Sequence, residues 1–379
     1  MRPQSLTRPA TKADYPVMSY ERDNIRQMTA YQWGEQPETE DILKLNTNEN
    51  PYPPSPAVQQ ALDNFTVDQL RRYPQPTADG LRARLAELHE VRPENIVITH
   101  GGDEGLRLAL TTFVEPGNAF GMLDPSYSLY PVLADIQGAV TVRGQLDDDW
   151  ELPRDFAHQM NEAGANLCCI VNPHAPSGTL LDMDRIGRLA SDLNGVLLVD
   201  EAYVDFVDPA LRHDLVRMID AFDNLLLLRT FSKGYSLAGL RLGYLLGSTS
   251  LIEPILTKTR DSYNVDGISQ LLGEAAITDR AYAEETWRRV RSARRILRDN
   301  LVDLGLRVGI SQTNFLLAEV PLEAPKSAEE IYESLKDEGI LVRYFSNPAL
   351  EDKLRITVGS ERENERLTNA LARLLGKLS

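Results

Sequence analysis

The chain has 379 residues, 42% of them hydrophobic and 25% charged, the proportions of a globular protein with one large core and a second, smaller one. Fifty-six acidic against 40 basic side chains leave a net charge of −16, which argues against a nucleic-acid binder. No apolar run approaches the roughly eighteen residues needed to span a bilayer. Cys168 and Cys169 are adjacent in an apolar segment, where they read as small buried hydrophobes and build neither a disulfide framework nor a metal site.

Residues 1–16 are polar and lack the apolar centre of a signal peptide, so a cytoplasmic protein with a loose start is expected. A short helix is expected near residues 20–28. The stretch Leu45-Asn46-Thr47-Asn48-Glu49-Asn50-Pro51 reads as irregular, because the prolines that follow forbid regular structure and asparagines suit turns. Helices follow over 55–64, with Ser55 as N-cap and Pro56 in the first turn, and over 78–89, with Leu81, Leu85 and Leu88 on one face. Strands at 95–99, 119–123, 167–171, 196–199, 225–228 and 243–246 then alternate with helices at 103–113, 127–136 and 182–193. That alternation predicts a mostly parallel sheet covered on both faces. A long helix over 281–304 carries Arg288, Arg289, Arg291, Arg294 and Arg295 on what reads as a solvated face. Strands near 313–320, 340–343 and 353–358, with helices over 328–339 and at the end, predict an α+β unit. The expected division is an N-terminal arm over 1–44, a large domain over 45–260 and a small domain over 261–379.

Several loops after these strands carry residues suited to chemistry. His100-Gly101-Gly102-Asp103-Glu104-Gly105 joins a strand to a helix, as a tight turn or as an anion site at the helix N-terminus. Asp124-Pro125-Ser126-Tyr127 places an aromatic ring after the next strand, where it can stack on a planar ligand, and Tyr130 reads as core or a supporting contact. His174, in the turn Asn172-Pro173-His174-Ala175-Pro176-Ser177-Gly178, reads as a surface histidine. Asp200 ends an apolar strand, where a carboxylate is costly unless paired, although it could also cap the next helix. Lys233 follows the 225–228 strand between small residues, at the edge where α/β sheets keep ligands. Lysine is the residue that forms Schiff bases with carbonyl cofactors once its surroundings deprotonate it. Thr230, Ser232 and Arg241 offer hydroxyls and a guanidinium to one anion. Arg343 and Arg355 lie in late apolar strands, and each suits a carboxylate, a phosphate or a structural ion pair.

The pattern Ser-Lys-x-x-x-Leu-x-Gly-x-Arg-x-Gly-Tyr over residues 232–244, with the turns at 101–105, 124–130, 172–178 and 199–203 in order, resembles the fold-type I pyridoxal-phosphate aminotransferases. The resemblance implies that Lys233 carries pyridoxal 5'-phosphate and shuttles a proton, and that Asp200 holds the proton of the ring nitrogen. It implies that Tyr203 and Asn172 bond the ring's phenolic oxygen and that Tyr127 stacks on the ring. Gly102, Asp103, Glu104, Thr230, Ser232 and Arg241 would hold the phosphate. The 45–51 stretch, Arg72-Tyr73-Pro74, Thr29-Ala30-Tyr31-Gln32 and Tyr263-Asn264 further resemble the histidinol-phosphate aminotransferases. In that group Tyr73 would reach the cofactor phosphate of a second subunit, making a homodimer with shared sites. Tyr31, Asn50, Arg343 and Arg355 would bind substrate. The amino donor would be histidinol phosphate and the acceptor a 2-oxo acid, 2-oxoglutarate. Aromatic aminotransferases and threonine-phosphate decarboxylases share much of the pattern, so those reactions stand as alternatives. No metal, nucleic acid or membrane partner is implied.

Overall fold

A computed structural model describes residues 20–31, 33–37 and 41–377 of the chain. The expected loose start and Gln32 lie outside the described residues. Among the described residues, thirteen strands form three sheets. Strand β1 (Leu43–Lys44) begins the described sheet structure. The central sheet uses β2 (Ile96–Thr99), β3 (Ala119–Asp124), β4 (Val140–Gln145), β5 (Ala165–Val171), β6 (Val196–Asp200), β7 (Leu225–Thr230) and β8 (Gly243–Gly247). Their order is β2-β8-β7-β6-β5-β3-β4, with β8 antiparallel to both neighbours and every other pairing parallel. The middle strands are apolar up to their carboxyl ends because helices cover both faces: Leu225, Leu226 and Leu227 have no exposed surface, nor do Leu197, Leu198 and Val199.

A smaller antiparallel sheet combines β9 (Arg307–Val308), β10 (Phe315–Glu319), β12 (Arg343–Tyr344) and β13 (Lys353–Thr357). β11 (Ile340–Leu341) leaves it to pair in parallel with β1. The stretch expected as one strand over 340–343 is therefore split between two sheets, with buried Val342 at the break. The expected strand and helix alternation is present. The helix at Gly101–Phe113 starts two residues earlier than expected, and the helix near residue 23 is only Asp23–Gln27. The 78–89 helix is Asp79–His89, with Leu81 and Leu85 fully buried. Ser55 caps the helix Pro56–Asp63 by accepting from the Ala57 N–H, as its sequence position implied. β4 and the helix Phe156–Glu162 have no counterpart among the expected elements. β4 is a half-exposed edge strand, and the helix spans seven residues, so neither presents a sustained apolar period.

The arginine-rich helix, Arg280–Asp303, departs from the expected solvated face at Arg294. Arg288, Arg289 and Arg295 are exposed as expected, the Arg289 guanidinium lying 3.8 Å from the Tyr52 ring centroid, and Arg291 is half-buried. Arg294 is buried and donates to the carbonyls of Phe206 (3.1 Å) and Thr313 (2.6 Å), joining the large sheet's loops to the small sheet. Arg294→Leu leaves those two carbonyls without their donor, at a cost of about 1–3 kcal/mol each. We expect a loss of about 2–4 kcal/mol in urea unfolding, and a midpoint equal to wild type would show that the guanidinium joins nothing of consequence.

Candidate active site

Because β2, β3, β5, β6 and β7 run in one direction, the loops at their carboxyl ends meet along one edge, over a cavity of about 1310 Å³. One end of it is built for an anion. Gly101 has φ +76°, and a Cβ there would come within 2.7 Å of Arg241 Nη2, so glycine is what admits the guanidinium to the first helical turn. Arg241 Nη2 donates to Asp103 Oδ2 (3.0 Å), and Thr230 Oγ1 donates to Ser232 Oγ (3.0 Å). Gly102, Asp103, Thr230, Ser232 and Arg241 all line this part of the cavity, where a helix N-terminus and a guanidinium favour a phosphate. Glu104 is not among the lining residues. Its carboxylate accepts from the His100 N–H and from Asn264 Nδ2, and so ties down the turn itself.

Tyr127 forms one wall, with Tyr31 edge-on at 6.1 Å and Tyr130 edge-on at 5.5 Å between centroids. Asp200 sits in the floor. Tyr130 Oη donates to its Oδ2 (2.9 Å) and the Ala202 N–H to its Oδ1 (3.1 Å). Burial pushes the Asp200 carboxyl up to about 6, against those two hydrogen bonds, so it is mostly ionised at pH 7 and poised for a cationic partner. Tyr130, fully buried, is thus a supporting contact for Asp200.

In the turn after β5, Asn172 is buried behind the cavity lining, its carboxamide accepting from the Leu181 N–H (2.8 Å) and donating to the Leu181 carbonyl (3.2 Å), with His213 Nε2 at 3.5 Å. Val171, Ala175 and Pro176 of this turn line the cavity. One expectation about this turn is corrected: His174 is buried, not a surface residue. Its ring nitrogens lie 2.8 Å from Ser177 Oγ and 3.1 Å from the Pro125 carbonyl, and burial pushes its pKa down to about 4. It braces this turn against the loop that carries Tyr127.

Lys233 enters the floor beside Tyr203 and donates from Nζ to the Thr47 carbonyl (2.8 Å). Burial first, then the nearby Arg355 charge, lowers its pKa to about 8, with Glu49 opposing. Such an amine is within reach of its nucleophilic form near neutral pH. The other end of the cavity holds Arg343 and Arg355, on neighbouring strands and paired in register. Arg355 Nη2 donates to the Asn46 carbonyl (2.9 Å), while its buried Nε makes no hydrogen bond among the described residues, so this donor is available to an anion. Asn50 does not line the cavity; it donates to the Lys233 and Gly234 carbonyls (3.3 Å each) and steadies the lysine loop. Tyr73 also lies outside it, 82% exposed and stacked on Tyr263 at 4.6 Å. Asn46, Thr47 and Asn48 were not singled out from the sequence, although the 45–51 stretch contains them. Their partners lie 155 to 309 residues away, which no local pattern reveals.

The model for aminotransferase class I and II matches residues 40–374. The chain is 39% identical to histidinol-phosphate aminotransferase 1 of Trichormus variabilis, covering 95% of this chain and 100% of that one. It is 42% identical to the histidinol-phosphate aminotransferase of Chromohalobacter salexigens, covering 92% and 96%. Among solved structures, the histidinol-phosphate aminotransferase of Sinorhizobium meliloti in complex with pyridoxal-5'-phosphate superposes with a TM-score of 0.85 at 25% identity, over 96% of this chain and 99% of that one. The chain belongs to the class I and II aminotransferases, a pyridoxal-phosphate-dependent family with the fold-type I architecture. Several relatives at 37–42% identity over most of the chain are named as histidinol-phosphate aminotransferases.

Pyridoxal phosphate suits the residues present: an anion cradle at one end, a buried carboxylate under the floor, and a lysine of lowered pKa between them. Bound there, its ring is an electron sink for charge left on a substrate carbon. The Lys233 amine must be neutral to attack, so the apoprotein should capture pyridoxal phosphate at a rate rising roughly tenfold per pH unit below about 8 and levelling above it. Stopped-flow absorbance across pH 6–9 measures this, and a flat profile would contradict the lowered lysine pKa.

Proposed function

We propose that the enzyme moves the amino group of histidinol phosphate to 2-oxoglutarate, a step of histidine biosynthesis, as a cytoplasmic homodimer. The observation that carries the donor assignment is the pair Arg343 and Arg355 at the end of the cavity away from the phosphate cradle. Two guanidiniums there suit a second phosphate, on the substrate, and in the other half of the cycle the distal carboxylate of a dicarboxylic 2-oxo acid. Tyr31 and Tyr127 form the apolar wall between the two ends, against which a flat imidazole can lie. Lys233 Nζ takes the proton from the donor carbon that bears nitrogen, and Asp200 holds a proton on the ring nitrogen beneath it. The donor carbon leaves as a carbonyl, its oxygen supplied by water. The 2-oxo acid then receives the nitrogen in the reverse sequence.

Lys233→Ala should keep the fold by circular dichroism and lower kcat by more than about a thousandfold. In wild type, histidinol phosphate without acceptor should convert the cofactor's visible band within seconds. Faster conversion by phenylalanine, or carbon dioxide release from threonine phosphate, would overturn the donor assignment. For Tyr73 we infer a place in the partner subunit's phosphate site, since it is exposed and outside its own cavity. Sedimentation should then show a two-chain species, and Tyr73→Ala should weaken cofactor binding about tenfold or more without loosening the chain's own fold. An active monomer, or unchanged cofactor affinity, would refute that role.

A further inference from the structure

Three consecutive residues of the loop after β1 each hold a different functional group. The Asn46 carbonyl accepts from Arg355, the Thr47 carbonyl from Lys233, and Asn48 Nδ2 donates to Tyr203 Oη (3.0 Å). Asn48 is 2% exposed and has φ +59°, a left-handed conformation that asparagine tolerates better than most residues. Its remaining groups bind the small sheet. The Asn48 N–H donates to Thr357 Oγ1 (3.0 Å), the Thr357 hydroxyl donates back to Asn48 Oδ1 (3.1 Å), and Asn314 Nδ2 donates to the Asn48 carbonyl (2.9 Å).

This network fixes the direction of every hydrogen bond in it. Thr357 Oγ1 already accepts from the Asn48 backbone, so its one proton goes to Oδ1. The carboxamide is thereby oriented with its Nδ2 toward Tyr203. Among the described residues Asn48 is the only hydrogen-bond partner of the Tyr203 hydroxyl. A hydroxyl that accepts one bond still has its own proton to donate, and the remaining open direction is the cavity, which Tyr203 lines beside Lys233 and Asp200.

We propose that Asn48 is a positioning residue that sets the polarity of Tyr203, turning the hydroxyl proton into the cavity and onto the phenolic oxygen of bound pyridoxal phosphate. The charged and titratable groups that act on Tyr203 are Arg355 from β13, Asp200 from β6 and Tyr31 from the arm. Burial raises its hydroxyl pKa, with Arg355 and the Asn48 amide opposing. The inference rests on the cofactor occupying this cavity.

The test reads the pH titration of the visible band of the bound cofactor in Asn48→Asp, Asn48→Gly, Tyr203→Phe and the double variants. Asn48→Gly keeps the positive φ and removes the donor. Asn48→Asp replaces the donor with an acceptor, which draws the Tyr203 proton away from the cavity. A hydrogen bond to the phenolic oxygen favours its anion and lowers the band's apparent pKa, so its loss should raise that pKa by about half to one unit. In the Tyr203→Phe background the Asn48 changes should add nothing, since their route is gone. Thr357→Val, which frees the carboxamide to turn over, should give a smaller rise that also vanishes without Tyr203, and this variant carries the test if the Asn48 variants do not fold. Equal shifts with and without Tyr203, or no shift in any variant, would overturn the proposal. A wild-type protein showing no visible band with pyridoxal phosphate would instead refute the underlying cofactor reading.

Discussion

The direction of the strands is the constraint on which everything else in this molecule rests. Five strands ending along one edge deliver the glycine turn, the Tyr127 loop, the 172–178 turn, Asp200 and Lys233 to a single cavity. The cost is that polar and ionisable side chains collect where apolar strands end. The chain offsets it by pairing them locally, Arg241 with Asp103 and Tyr130 with Asp200, or by donating to loop carbonyls, as Lys233 and Arg355 do. A net charge of −16 thus coexists with an anion-binding interior.

Burial acts on two neighbouring groups of this site in opposite senses. It raises the Asp200 carboxyl and lowers the Lys233 amine, because both shifts disfavour a charge taken out of water. The interval left between about 6 and about 8 is one in which the carboxylate is ionised and the amine still holds its proton. An aldehyde-bearing anion therefore meets a carboxylate able to steady a pyridinium and a lysine needing little help to become a nucleophile. One physical term prepares both ends of the chemistry.

Much of this was legible in the residues. The alternation of apolar runs with helices gives a parallel sheet, and the lysine, glycine and tyrosine motifs follow strands whose carboxyl ends must share an edge. What was not legible depends on distance in sequence or on rotation about a single turn. Asn172 stands in the expected turn, yet its bonds to the Leu181 backbone, nine positions on, carry no signal in the local sequence. His174 looks like any loop histidine until Pro125 and Ser177 surround it. Arg294 shares a helix with solvated arginines and differs from them only through Phe206 and Thr313. The loop over 46–50 carries no periodicity, and its partners are known only once two sheets are brought together.

The lysine differs from its neighbours in how it is mounted. The residues at the ends of β2, β3, β5 and β6 are followed by long crossings over the sheet, whose turns at the far edge can gain or lose residues without moving the near one. Lys233 and Arg241 instead sit between two consecutive antiparallel strands, with Thr230 opposite Gly243, so the connection over 231–242 leaves and returns at the same edge of the sheet. Lysine and arginine therefore hang from a single span anchored at both ends beside the cavity, and whatever shifts one of those two strands carries both groups with it.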